Sequence, residues 1–275
     1  MTRNIPFVDF GGNGPLLHFA HANGYPPRCF RRFLQPFTER YHVLAVEHRP
    51  LWSDDEPQRL ETWHEIAADL IHFFEQEGLR DVVGVGHSLG AAVTMIAAVE
   101  RPALFSKLVL IEPIFLPPDV LQTLAAEPEA MSSYPLVQTT RNRRNRWPDR
   151  KTAFEHFRAK SVFSRCADDV LWDYVQHALV EMEDGRVGLR YRREWEARIY
   201  SRPPLHVWEL LPLVEQPTLG IRGAESDALW QPAWEQWQTV QPDATFVEFE
   251  DAGHLVLLER PERVAGRIHQ FLDGN

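Results

Sequence analysis

The chain has 275 residues, of which 44% are hydrophobic and 25% charged, and its formal net charge is -10. Such ordinary globular usage sets aside disordered and fibrous classes, and the acidic balance counts against nucleic acid, whose phosphates need a basic surface. Cys29 and Cys166 are the only cysteines and no CxxC spacing occurs, so neither a disulfide framework nor a structural zinc site is expected.

At this length one large core with an insertion is as reasonable as two domains. The opening stretch MTRNIPFVDFGGNG has no continuous apolar core for a signal peptide. No later run approaches the roughly 18 apolar residues of a membrane span. The expectation is a soluble cytoplasmic protein with a small molecule as its partner, no nucleic acid and no membrane span; nothing in the residues sets an oligomeric state.

In chain order, strands are predicted at 15–21 (PLLHFAH), 41–48 (YHVLAVEH), 81–87 (DVVGVGH), 107–113 (KLVLIEP), 217–223 (PTLGIRG) and 244–250 (ATFVEFE). Most are short apolar runs that end in polar or Gly residues, as buried parallel strands do. Between them, Trp63, Ile66, Leu70, Ile71 and Phe74 recur at helical spacing within 61–78, and Gly78 closes that helix. Further helices are predicted after Ser88 and over 261–272. The alternation predicts an α/β fold with a mainly parallel sheet covered by helices on both faces.

From Pro113 to about Pro212 the alternation stops. This segment is helix-like, rich in Arg and Trp, and punctuated by LPPD, YPL, WPD and SRPP. It reads as a helical lid, residues 114–212, inserted at the C-terminal edge of a core made by 1–113 and 213–275. Its Trp147, Trp172, Trp195, Phe154, Phe157 and Phe163 suit either packed core or the wall of an apolar pocket. The basic run RNRRNRWPDRK (141–151) suits a solvated helix face, or the attraction of an anionic substrate through Arg143 and Arg144.

Gly86-His87-Ser88-Leu89-Gly90 sets a hydroxyl between glycines where a strand gives way to a helix. A turn from strand directly into helix strains the middle residue, and glycines two before and two after it let chain segments approach closely. The plain alternative is a tight turn whose Ser caps the helix. A serine hydroxyl is a weak nucleophile until a base takes its proton. His254, past the last predicted strand and preceded by Ala252 and Gly253, is the candidate base. His64 and His72 lie on a helix, and His18 and His21 match no metal-binding spacing.

A carboxylate must orient the imidazole. Asp227 is the preferred candidate, because the turn after Gly223 brings it to the C-terminal sheet edge; Glu225 is the alternative. Glu112, at the end of another predicted strand, and Asp251, close to His254 in sequence, are minor competitors. An oxyanion formed at a carbonyl needs preorganised donors, for which the backbone N–H groups of Leu89 and Asn23 are the candidates. No cofactor and no metal are needed by this set.

The chain resembles the α/β-hydrolase fold superfamily over nearly its whole length. LLHFAHANGYPP is similar to that family's oxyanion loop, GVGHSLG to its nucleophile elbow, PTLGIRGAESD to its acid turn and AGHLVLLERPERV to its histidine loop. The resemblance implies that the family's Ser, acid and His roles fall on Ser88, Asp227 and His254. Ala22 stands where the family commonly has Gly, Pro50 and Trp52 replace both glycines of its Arg-Gly-x-Gly-x-Ser turn, and the acid turn is one residue longer than in many relatives. A Ser nucleophile counts against the relatives that dehalogenate or open epoxides with Asp. The leading reading is a carboxylesterase-like serine hydrolase that works through an acyl-enzyme. A carbon–carbon bond hydrolase or lactonase with the same triad is the alternative, and a non-catalytic ligand-binding protein is the alternative of another class.

Overall fold

The computed structural model describes residues 4–127 and 129–274; positions 1–3, 128 and 275, which the ranges above include, lie outside the described residues. In chain order the strands are β1 (Phe7–Gly11), β2 (Leu16–Ala20), β3 (His42–Val46), β4 (Val82–His87), β5 (Phe105–Ile111), β6 (Arg146–Trp147), β7 (Leu179–Glu181), β8 (Val187–Leu189), β9 (Thr218–Gly223) and β10 (Thr245–Phe249). Seven of them form one sheet in the order β1-β3-β2-β4-β5-β9-β10. Within it only β1 runs antiparallel, at one edge against β3.

Strand alternation builds the two faces. Along β5, Val109 and Ile111 point into one apolar cluster while Leu108 and Leu110 point into the other, as a period of two requires. The first cluster is covered by Phe30, Phe33 and Phe37 and by the helix Pro261–Leu272. The second is covered by the helices His64–Gln76, Leu89–Glu100 and Gln231–Val240. The helix Leu89–Glu100 is buried from Leu89 through Ala98. Its alanines at positions 91, 92, 97 and 98 let it lie close to the sheet.

The six predicted strands are all present, and the α/β class with helices on both faces is the observed architecture. β1 was not expected: in FVDFG only Val8 is buried, so this edge strand shows no apolar run. Between β5 and β9 the chain leaves the sheet and forms the helices Pro118–Ala126, Pro135–Asn142, Arg150–Arg158, Asp168–Ala178 and Arg193–Tyr200. It also forms a second, antiparallel sheet in the order β6-β8-β7, so the excursion is not purely helical. Strands of two or three residues are too short to display alternation in sequence. Trp147, Phe157 and Phe163 merge with the first apolar cluster and Trp195 with the second, so these aromatic residues are packed core.

Candidate active site

β4 ends at His87, and the helix Leu89–Glu100 begins one residue after Ser88. Ser88 joins them with φ 57° and ψ -117°, a conformation that costs on the order of 1–3 kcal/mol for a residue with a Cβ. The flanking glycines make the joint possible. A Cβ on Gly86 would lie 2.4 Å from the Gly90 carbonyl oxygen, and one on Gly90 would lie 2.0 Å from that of Ala20. Ser88 accepts the N–H groups of Ala91 and Ala92 through its backbone oxygen and makes no side-chain cap, so its hydroxyl is left for another partner.

That partner is His254. The imidazole Nε2 lies 3.0 Å from Ser88 Oγ, and Nδ1 lies 2.9 Å from Glu112 Oε2. A carboxylate against Nδ1 requires that nitrogen to carry the hydrogen, which leaves the Nε2 lone pair facing the hydroxyl. Burial holds the neighbouring His87 neutral, with its pKa lowered to about 3. Its Nε2–H donates to the His254 carbonyl oxygen at 2.9 Å, which fixes the backbone that carries the His254 ring.

Glu112 follows β5 directly and, like Ser88, has a positive φ, here 50°. Its N–H donates to the Ile221 carbonyl at 2.8 Å, just as the Ser88 N–H donates to that of Ile111 at 3.0 Å. Two adjacent parallel strands thus end in the same way and aim two side chains across one sheet edge. The Glu112 side chain is fully buried. The Gly223 N–H donates to its Oε1 at 2.6 Å, and the Ser226 hydroxyl donates to Oε2.

The expectation that Asp227 meets the imidazole is not what the structure places there: the carboxylate against His254 Nδ1 is that of Glu112. The loop after β9 closes on a bond from the Ser226 N–H to the Gly223 carbonyl oxygen, and this turn points Ser226 inward. Its neighbours Glu225 and Asp227 both point outward and are exposed. Glu225, the alternative acid, is paired with Arg165 of the excursion, and Asp251 is bound by Arg260 and Arg263. The signal that could have found Glu112 is a lone carboxylate closing the apolar run of β5.

Asn23 and Leu89 lie on the two segments that meet where the Ala20 and His21 carbonyls sit against Gly90, the chain after β2 and the start of the helix Leu89–Glu100. Both are buried, and among the described residues neither N–H donates to a protein acceptor. His21 and His48 lie behind this loop with ring centroids 4.0 Å apart. The His48 N–H donates to His21 Nε2 at 3.0 Å, and His48 Nε2–H donates to the His21 carbonyl oxygen at 3.0 Å. His18 accepts the Val46 N–H. These histidines brace strand ends. Among the described residues no group of three or more His, Cys, Asp or Glu is placed to hold a metal ion, and no helix is long and apolar enough to cross a membrane.

Comparison with known proteins agrees with this architecture. A model of the alpha/beta hydrolase family matches residues 19–267. An abhydrolase domain-containing protein of Alternaria alternata is 26% identical over 228 residues, 70% of this chain and 83% of the relative. Among solved structures, E-2-(acetamidomethylene)succinate hydrolase superposes with a TM-score of 0.80 at 21% identity, covering 97% of this chain and 94% of the other. The enol-lactonase of Burkholderia xenovorans LB400 gives 0.67 at 17% identity over 98% and 96%. At these identities the structural likeness carries the fold.

Proposed function

The chain belongs to the alpha/beta hydrolase family, and from that premise we propose that it is a serine hydrolase cleaving a carboxylic ester or a related acyl bond through an acyl-enzyme. The observation that carries this reading is the unbroken sequence of contacts from Ser88 Oγ to His254 to Glu112, at 3.0 and 2.9 Å.

Ser88 Oγ attacks the substrate carbonyl as its proton passes to His254 Nε2. Glu112 holds the imidazole in the required tautomer and stabilises the imidazolium that forms. The negative oxygen of the tetrahedral intermediate meets the N–H groups of Leu89 and Asn23, the first of them also at the positive end of a helix. When the intermediate collapses, His254 returns the proton to the departing alcohol, and Ser88 is left acylated. Water, deprotonated by His254, attacks the acyl-enzyme; collapse releases the acid and restores the hydroxyl.

Residues 114–212 act in this reading as a cap over the site. It is supported by Arg165, which leaves the excursion to pair with Glu225 after β9 and lies 3.9 Å from Glu259, just past His254.

The test is intact-mass labelling with a fluorophosphonate on the wild type and on Ser88→Ala, followed by a p-nitrophenyl ester chain-length series. One adduct that disappears with Ser88→Ala is the expected result. A folded wild type that takes no label and turns over no ester sinks the reading.

A further inference from the structure

Of the basic run 141–151, Arg143 and Arg150 are partly covered, and Arg150 spends its guanidinium on Glu181 and on the Leu179 carbonyl. Arg144 is exposed, its guanidinium over the Trp147 ring and its Nε–H bonded to the Arg146 carbonyl, and Arg141 and Arg146 are also exposed. Arg143 instead pairs, within the excursion, with the 5% exposed Glu196 of the helix Arg193–Tyr200. The Arg193 guanidinium holds the Arg143 backbone by donating to its carbonyl at 2.8 Å.

This pair lies against the loop that carries Asn23. Asn23 Nδ2–H donates to the Glu196 carbonyl at 3.1 Å, and a Cβ on Gly24 would lie 2.9 Å from Glu196 Oε1. Tyr174 stands beside the guanidinium and packs at a tilt of 51° against Tyr25 of the Asn23 loop, with centroids 5.1 Å apart, while Tyr200 stands beside Glu196 and Asn23. Burial raises the pKa values of all three tyrosines, so their hydroxyls remain hydrogen-bond donors.

Stability alone does not account for a buried ion pair, since apolar residues of like volume often serve such a site as well. It is also incomplete: Arg143 Nε is buried and has no acceptor. A guanidinium offers a planar fork that suits a carboxylate with two parallel hydrogen bonds. A buried donor without an acceptor calls for an explanation, and here it lies against the loop that carries Asn23, where a ligand oxygen would satisfy it.

Resting on the serine-hydrolase reading, we propose that Arg143 is the recognition group for a carboxylate carried a few bonds from the scissile carbonyl, so that the substrates are half-esters of short dicarboxylic acids. The Glu196 carboxyl supports this: burial raises its pKa to about 7 against the opposing pull of Arg143. Near neutral pH it therefore takes a proton readily, and the protonated carboxyl donates a hydrogen bond to an incoming carboxylate instead of repelling it.

The experiment compares kcat/KM for monomethyl succinate and monomethyl glutarate with that for methyl valerate, together with the melting temperature in free glutarate. In the wild type one of the half-esters is expected to lead by roughly ten- to a hundredfold, the worth of a charge-assisted hydrogen bond, and glutarate is expected to raise Tm. In Arg143→Gln/Glu196→Gln, which removes both charges together, the lead and the glutarate shift are lost; Arg144→Gln keeps both. If the double variant shows no melting transition, Arg143→Lys replaces it, and a reduced lead with a reduced glutarate shift is expected.

A wild type with no half-ester lead and no glutarate shift overturns the proposal, as does a lead that neither Arg143 variant reduces. Fluorophosphonate labelling separates this from the parent reading. A labelled enzyme that cleaves methyl valerate without preference keeps the hydrolase and loses the anion site. A protein that takes no label, yet is stabilised by glutarate only while Arg143 is present, keeps the anion site and loses the hydrolase.

Discussion

The Ser226 hydroxyl donates to the same Glu112 oxygen that receives Nδ1–H of His254. The N–H groups of Ala228 and Leu229 donate to Ser226 Oγ at 3.2 and 3.1 Å, so its lone pairs are occupied and its one hydrogen is directed at Glu112. The loop after β9, where the sequence offered Glu225 and Asp227, thus contributes a neutral hydroxyl to a carboxylate that comes from the neighbouring strand.

Exchanging the acids one at a time separates the sequence expectation from the observed geometry. Glu112→Gln keeps the shape and loses the charge that favours the imidazolium; a fall in kcat of about 10³- to 10⁴-fold is expected, by analogy with loss of the orienting carboxylate in other triads. Asp227→Ala removes an exposed side chain and is expected to leave kcat within about twofold, the usual neutrality of such surface changes. Steady-state kinetics on any ester the wild type accepts decides the matter, and equal losses in the two variants would contradict the assignment of Glu112.

Because Ser226 and His254 share one Glu112 oxygen, a carboxylate at position 226 starts close to the imidazole. Glu112→Ala/Ser226→Asp is expected to recover about tenfold or more of the activity lost in Glu112→Ala, through the same orienting role. Ser226→Ala alone removes one donor to a buried carboxylate, a loss of about 1–3 kcal/mol in that network. It is expected to shift the pH dependence of kcat/KM while leaving the fluorophosphonate adduct on Ser88. No recovery in the double variant would mean that the loop holds position 226 too rigidly to orient His254.

The sheet was legible because buried parallel strands are continuous apolar runs, and Ser88 and His254, which the structure brings into contact, stood out by the glycines around the first and the Ala252-Gly253 pair before the second. Sequence missed β1, whose polar face hides the pattern, and β6 to β8, which are too short to have one. That Glu112 is the carboxylate against His254 was hidden for a different reason. Gly86 pairs with Leu110 and His87 with Ile111 in the ladder, so the next step puts Ser88 beside Glu112. That adjacency follows from strand order and register, which are not local properties of the sequence. Direction within the loop after β9 is equally non-local: residues 225 to 227 differ in whether they face inward, and a turn bond to Gly223 decides it.

Stability should fall on mild acidification. Burial lowers the pKa of His18 to about 3, of His48 to about 4 and of His87 to about 3, and holds that of His21 well below 6.5. With folded values below the unfolded one, the unfolded chain binds more protons once the pH drops below about 6.5, so this contribution is complete above that value and is lost as the pH falls toward 4. Each such histidine adds a slope of about 1.4 kcal/mol per pH unit near pH 5. The lowered carboxylates of Asp9 and Asp251 act only below about 4, while Glu196, which burial raises to about 7, acts in the opposite sense between about pH 7 and 4.5 and offsets about one histidine's slope. Guanidinium unfolding between pH 7.5 and 4.5 measures the slope, and His48→Gln should make it shallower. Constant stability from pH 7 to 5 would show that these rings do not stay neutral in the fold.

Two glycine-to-alanine changes, both within helices, should have opposite effects. Helix propensity alone favours alanine at each site by about 1 kcal/mol. At Gly266, in the helix Pro261–Leu272, an added Cβ meets nothing within 4 Å, so Gly266→Ala is expected to stabilise by up to about that amount. At Gly90 the same Cβ would lie 2.0 Å from the Ala20 carbonyl oxygen and 2.7 Å from that of His21, both backbone atoms of the strand end and loop before Asn23. The clash outweighs propensity, and Gly90→Ala is expected to destabilise by at least about 1–3 kcal/mol, as overpacking does. Relief requires the loop and the helix start to separate, which also moves the Asn23 and Leu89 N–H groups apart. Urea unfolding gives the two signs, and the rate of fluorophosphonate labelling of Ser88 tests the second consequence: a Gly90→Ala protein as stable and as quickly labelled as the wild type would show that the tight contact does not set the oxyanion donors.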